Sequence, residues 1–206
     1  MTQEQKLPVV AFKRRQTLEN SVFYMNSLLT FYAESKDTGG GFDVGEWLGK
    51  PGNEPPPHVH EHGHEFCYVL EGGIDAYIAS DVFRVAKGEC LLIPQNIPHT
   101  FLIRSQRYRM LFVTQPAGLT KYMKAMAAEP ALQLDLPKEG IPYSAADIQH
   151  AIDEGRKYGV RFLSSEEVRE ELPSYPGMPR RKKSSNGLGV PRRGGRSEIS
   201  RNSSGR

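Results

Sequence analysis

Four of the chain's six histidines fall within seven residues, in the stretch Pro55-Pro-Pro-His58-Val-His60-Glu-His62-Gly-His64-Glu65. On an extended strand alternate side chains share a face, so His58 and His60 project together. Two imidazoles converging this way, with a carboxylate shortly after, suit a borderline divalent ion such as Fe(II), Ni(II), Mn(II) or Zn(II). The remaining donors are expected from Glu65 on the next strand and from a histidine on a facing strand. His99, at the end of Gly88-Glu-Cys-Leu-Leu-Ile-Pro94-Gln-Asn-Ile-Pro98-His99, is the candidate. His62 and His64 flank Gly63 in the expected turn between two strands, where solvated loop histidines are the simpler reading. His64 is the substitute ligand should Glu65 point away. Phe101 shares strand parity with His99, and Cys67 shares it with Glu65, so both are candidates for the wall of a substrate pocket beside the metal. Tyr24, Phe31, Trp47 and Tyr77 are further candidates for that wall, with plain core packing as the competing reading. His150, on a helix far along the chain, reads as an ordinary helix residue.

These side chains must be held by something rigid. From Leu28 to Thr114 the chain alternates short β-branched and aromatic runs with Gly, Pro, Asn and Asp, which predicts nine strands of an antiparallel sandwich or barrel. The Gly39-Gly-Gly41 loop, the Gly72-Gly73 turn and the prolines at 94 and 98 punctuate it. After Gln115 the period lengthens toward 3.6. Helices are expected over Leu119–Ala128 and Ser144–Tyr158, the second with Ser144 and Asp147 as a capping pair and Ile148, Ala151, Ile152 and Gly155 on one face. A third opens at Ser164-Ser-Glu-Glu167 and ends before Pro173. The fold class is therefore mostly β: eight to eleven strands, with helices only after Gln115. The expected divisions are an N-terminal arm over 1–27, a barrel over 28–116, C-terminal helices packing on it over 117–173, and a disordered basic tail over 174–206.

The residues also carry a resemblance. Gly52-x5-His58-x-His60-x4-Glu65-x6-Gly72 and Gly88-x5-Pro94-x-Asn96-x2-His99 resemble the two signatures of the cupins, with Asn96 in place of a glycine. Asn also tolerates the left-handed region, so that change is mild. The family's final asparagine is Ile103 here. Further stretches, among them Asp37-Thr-Gly-Gly-Gly-Phe42, Phe66-Cys-Tyr-Val-Leu-Glu-Gly72 and Tyr158-Gly-Val-Arg-Phe162, are similar to the single-domain quercetin 2,3-dioxygenase-like cupins. The resemblance implies a jelly-roll β-barrel followed by C-terminal helices. It implies one divalent metal ion on His58, His60, Glu65 and His99, iron first, with Ni, Mn, Cu or Zn as alternatives. It also implies that the metal-bound carboxylate, Glu65, acts as base toward a phenolic substrate, with O2 as the second substrate.

Composition narrows the classes. The chain has 206 residues, enough for one ordinary domain, and no internal repeat. The net charge of +3 conceals an asymmetry: nine Lys or Arg and one acid lie from Arg180 onward, leaving 18 basic and 23 acidic residues before it. A basic tail without aromatics does not make a nucleic-acid surface, so nucleic acid is not the expected partner. No run of about 18 apolar residues suggests a membrane span. The polar N-terminus points to the cytoplasm, or to the nucleus if Arg180-Arg-Lys-Lys183 is a localisation signal. Cys67 and Cys90 are expected as reduced, packed thiols. Exposed sheet edges and the Phe- and Tyr-rich segment from Phe12 to Phe31 make a homodimer by strand pairing the expected assembly. The expected function is a metal-dependent dioxygenase on a phenolic, aromatic or polyketide-like small molecule. The alternatives are a non-redox metal-dependent isomerase, cyclase or decarboxylase, and a non-catalytic small-molecule-binding barrel.

Overall fold

The computed structural model describes residues 10–127, 129–138, 140 and 142–177. Its strands form two sheets. In chain order the elements are β1 (Ser21–Tyr24), β2 (Ser27–Ala33), α1 (Ser35–Thr38), β3 (Asp43–Gly49), β4 (His58–His60), β5 (His64–Glu71), β6 (Gly73–Ile78), β7 (Asp81–Ala86), β8 (Cys90–Ile93), β9 (His99–Ile103), β10 (Tyr108–Gln115), α2 (Leu119–Ala125), β11 (Glu129–Pro130), α3 (Ala145–Lys157), β12 (Val160–Phe162) and α4 (Ser165–Glu171). A seven-stranded sheet runs β11-β1-β2-β3-β10-β5-β8, and a five-stranded sheet runs β12-β4-β9-β6-β7. Every pairing is antiparallel.

The period-two pattern sets which face is buried. On β10, Tyr108, Met110, Phe112 and Thr114 are buried while the residues between them are not. Tyr108, Met110 and Phe112 join Phe31, Trp47, Val69, Ile74 and Phe101 in the continuous core between the sheets. β9 is buried along its whole length, because segment 54–57 covers its outer face. Thr100 Oγ1 donates to Pro55 O at 2.8 Å, and the Ile103 amide donates to Glu54 Oε1 at 2.9 Å.

Several expectations need correction. Segment 21–27, assigned to an N-terminal arm, belongs to the sheet: β1 and β2 form a hairpin whose two-residue turn, Met25 and Asn26, has φ of 48° and 60°. That is the geometry of a primed turn, and Met-Asn lacks the glycine that usually announces one. Twelve strands are present among the described residues instead of eight to eleven. The span 117–173 is not helices alone, because β12 adds a strand to the sheet beside β4. One helix precedes Gln115: α1 is a single turn, with Glu34 and Asp37 capping it reciprocally and Gly39 closing it at φ 60°. The Ser144–Asp147 capping pair on α3 is present, but Ile148 is exposed and the buried residue of that face is Gly155. Cys67 is buried, whereas Cys90 is exposed on the edge strand β8. Residues 174–177 extend the fold, and Tyr175 packs edge-on against Tyr77. The rest of the expected tail lies outside the described residues, as do residues 1–9 of the arm. No described helix is long and apolar enough to cross a membrane.

Gly45 and Phe112 oppose one another on β3 and β10, and a Cβ on Gly45 would press into the Phe112 ring. Because Phe112 is fully buried, Gly45→Ala should lower stability by about 1–3 kcal/mol, the usual cost of overpacking. Urea denaturation measures this, and an unchanged midpoint would show that the ring can move aside.

Candidate metal centre

The sheet registers bring four side chains to one place. His58 and His60 alternate with Val59 on β4 and so point between the sheets. β9 lies antiparallel to β4 with His99 opposite His58. Glu65 comes from the other sheet, near the start of β5, where it pairs with Ile93 on β8 and Thr114 on β10. One ligand atom from each of His58, His60, Glu65 and His99 lies within 4.8 Å of all the others. Asn96, at φ 62°, takes the left-handed position expected of it, and its amide donates to His60 O at 2.9 Å. This fixes the loop that delivers His99.

The hydrogen bonds aim the rings. His58 Nδ1 lies 2.8 Å from Pro56 O, and His99 Nδ1 lies 2.8 Å from Ile97 O. A carbonyl can only accept, so both Nδ1 atoms carry the proton and both Nε2 atoms present lone pairs inward. Holding the outer nitrogen on a carbonyl is the usual way a metal-binding histidine is oriented. At the centre, His58 Nε2 is 3.2 Å from His60 Nε2, and His60 Nε2 is 3.0 Å from Glu65 Oε2. His99 Nε2 lies 3.8 Å from the same oxygen and is buried without a hydrogen-bond partner. An orphaned lone pair facing other nitrogens and a carboxylate is what one divalent cation satisfies, so the donor set fits such an ion.

Electrostatics agree with that fit. Burial alone would raise the Glu65 carboxyl, but the His60 hydrogen bond, with the His60 and His99 imidazoles beside it, outweighs it and holds the group well below its usual range. Burial, with His99 and His60 nearby, pushes the His58 imidazole well below its ordinary value, which favours the neutral form a metal needs. Burial, then the Glu65 charge, pushes the Cys67 thiol well up. Cys67 therefore keeps its proton and donates from Sγ to Glu65 Oε1 at 3.3 Å. Strand parity puts Cys67 on the Glu65 face, but its hold on the carboxylate is not legible in the sequence.

The site opens on a cavity of about 40 Å³. Cys67, Phe101, Tyr24 and Trp47 are among the residues that line it. Trp47 meets Tyr24 and Phe101 edge-on, at centroid distances of 6.4 and 5.7 Å. Phe31 is instead buried in the core, and Tyr77 turns away to Tyr175. Sequence reasoning missed Leu119, Tyr122 and Met123 on α2 and Val160 and Phe162 on β12, which close the cavity. The i, i+3, i+4 spacing of the three α2 residues was the available signal. His62 and His64 are both exposed and outside the four-residue cluster. His64 does not sit in the turn but begins β5, and its Nδ1 accepts from the Gln95 amide at 3.1 Å.

Comparison with known proteins bears on this geometry. Residues 46–114 match the family described as the cupin domain. A quercetin 2,3-dioxygenase of Bacillus subtilis is 25% identical over 121 residues, 59% of this chain and 34% of the relative. A polyketide synthase of Streptomyces cyaneus, CurC, is 29% identical over 68 residues, 32% of this chain and 44% of the relative. The matches thus span less than half the length of these two relatives. Among solved structures, an uncharacterised Klebsiella pneumoniae protein with a double-stranded β-helix domain aligns with TM-score 0.42 and 19% identity, covering 52% of this chain and 92% of that one.

Removing a donor should release the ion. His99→Ala is expected to retain at least about tenfold less metal after dialysis, since even losing a ligand's supporting hydrogen bond costs 10–100-fold. His62→Ala and His64→Ala should retain it at the parent level. Elemental analysis of the variants decides this, and loss of metal in His64→Ala would replace Glu65 in the ligand set.

Proposed function

We propose that this chain, a cupin over residues 46–114, is a metal-dependent dioxygenase acting on a small phenolic or aromatic compound, with iron as the first candidate ion. The observation that carries this reading is a set of three imidazoles and one carboxylate opening on an aromatic-walled, largely apolar cavity. The name of the Bacillus subtilis relative supports it. His58, His60, Glu65 and His99 would hold the ion. When bound, the ion would supply positive charge and redox capacity for oxygen chemistry.

The protein's own groups do the rest. Glu65 Oε2, lying between His60 and His99, is the atom positioned to take a phenolic proton. Cys67, on the other carboxylate oxygen, fixes its orientation. Phe101 and Trp47 wall the inner cavity with ring edges and keep it apolar around the ion's site. Leu119 and Met123 cover the cavity and exclude water, which strengthens each electrostatic contact inside.

A second reading, a metal-dependent cyclase or isomerase without redox change, draws on the polyketide synthase named among the relatives. In it the ion would polarise a carbonyl, and retention of zinc without oxygen uptake would favour it.

Glu65→Gln preserves shape but removes the negative charge and the capacity to accept a proton. Oxygen uptake by the iron-loaded variant with phenolic substrates should fall by about 10² or more, the usual worth of general base catalysis. Uptake at the parent rate would exclude Glu65 as the base.

A further inference from the structure

A second cavity, of about 240 Å³, lies beside the metal centre, and His60 and Leu119 line both. Its wall differs in chemistry from that of the first. His62, His64, Lys121, Thr114 and Tyr158 contribute to it, and no carboxylate does. Lys121 is exposed and has no ion-pair partner among the described residues. Because His64 Nδ1 accepts the Gln95 amide, its neutral ring carries the proton on Nε2, leaving that N–H free to donate. Thr114 Oγ1 is buried without a hydrogen-bond partner, and the residue is 4% exposed. Asp43, opposite Thr114 on β3, turns Oδ2 to the Gly118 and Thr120 amides, at 2.7 and 3.2 Å. Those amides are therefore spent, and recognition in this cavity falls to side chains.

A cavity walled by donors, one of them a free ammonium, suits an anion. Its size limits the occupant. Pockets for drug-sized ligands are about 300–1,000 Å³, so this one suits a single ring or a short chain. The inner cavity, at about 40 Å³, has room only for a few water-sized groups, since one water needs about 10–15 Å³.

We propose that the outer cavity binds a small single-ring organic acid, with its carboxylate on Lys121 and the His64 Nε2–H and its other end against His60 and Leu119. As the organic substrate's binding place the site rests on the dioxygenase reading; as a binding site it stands alone. His62 contributes the edge of the cavity, and its ring packs on Gly159, where φ is +70° and a Cβ would strike the imidazole. The size limit favours one ring over a multi-ring substrate.

The test uses 4-fluorobenzoate as probe and 4-fluorobenzamide as its neutral isostere, followed by fluorine NMR on the full chain in metal-free and zinc-loaded forms. The acid should bind both forms saturably, and at least about tenfold more tightly than the amide, as expected of charge-assisted hydrogen bonds. Lys121→Met should weaken the acid by a similar factor and leave the amide unchanged, and Lys121→Arg should restore most of the loss. Absence of saturable binding, or equal binding of acid and amide, overturns the proposal. So does acid binding that is unchanged in Lys121→Met. Lys121-dependent binding in a protein that consumes no oxygen with any phenolic acid would keep the site and remove only the dioxygenase reading.

Discussion

The Glu65 carboxylate is buried between two sheets, and the basic side chains beside it among the described residues are two histidines, His60 and His99, with no Lys or Arg. A carboxylate withdrawn from water costs several kcal/mol unless positive charge or hydrogen bonds compensate it. Here compensation is divided: Cys67 donates to one oxygen, and imidazole nitrogens gather around the other. Two of those imidazoles already spend their Nδ1 protons on backbone carbonyls. The remaining lone pairs repel one another unless a cation sits among them. The donor set therefore suits an ion, and the fold has to hold three rings and a carboxylate in place against that repulsion.

The architecture meets the requirement by drawing on both sheets. The five-stranded sheet supplies the three imidazoles through β4 and β9, and the seven-stranded sheet supplies the carboxylate through β5. β4 has only three residues and follows three prolines that have no amide to donate. Its position depends on neighbours: β12 pairs along its length, the Leu163 amide donates to Pro57 O at 3.0 Å, and Thr100 on β9 holds Pro55 O. The buried Glu54 adds two more ties, accepting the Gly52 and Ile103 amides at 2.7 and 2.9 Å. The main-chain N–H of Ile103 thus has a partner although the family's asparagine is absent. Tightly packed elements with few alternative arrangements are what keep such a site preorganised.

The four site residues were legible because strand parity and ligand chemistry act locally: His58-x-His60 must share a face once the segment is extended, and Asn96 can replace a glycine because its backbone demand is the left-handed region alone. The sheets between Leu28 and Thr114 were legible for the same reason. What escaped depends on tertiary pairing. β12 has three residues, too few for a period to register, and becomes a strand because β4 offers an open edge. β1 turns into β2 through Met25 and Asn26, a pair that carries no turn signature. Tyr77 and Phe31 have the composition of pocket residues, but which side of a strand faces the cavity depends on register, and register is set by the partner strand. Parity puts Cys67 on the same strand face as Glu65, and its bond to Glu65 follows from a side-chain rotamer that sequence does not encode.

The central claim is that His58, His60, Glu65 and His99 bind one divalent ion, and X-ray absorption at the metal edge of the iron- or zinc-loaded full chain tests it most directly. A first shell of three imidazole nitrogens with carboxylate oxygen, at about 2.0–2.2 Å for zinc, is the expected result. A sulfur scatterer near 2.3 Å, which would make Cys67 a ligand, or a shell without imidazole, would contradict it.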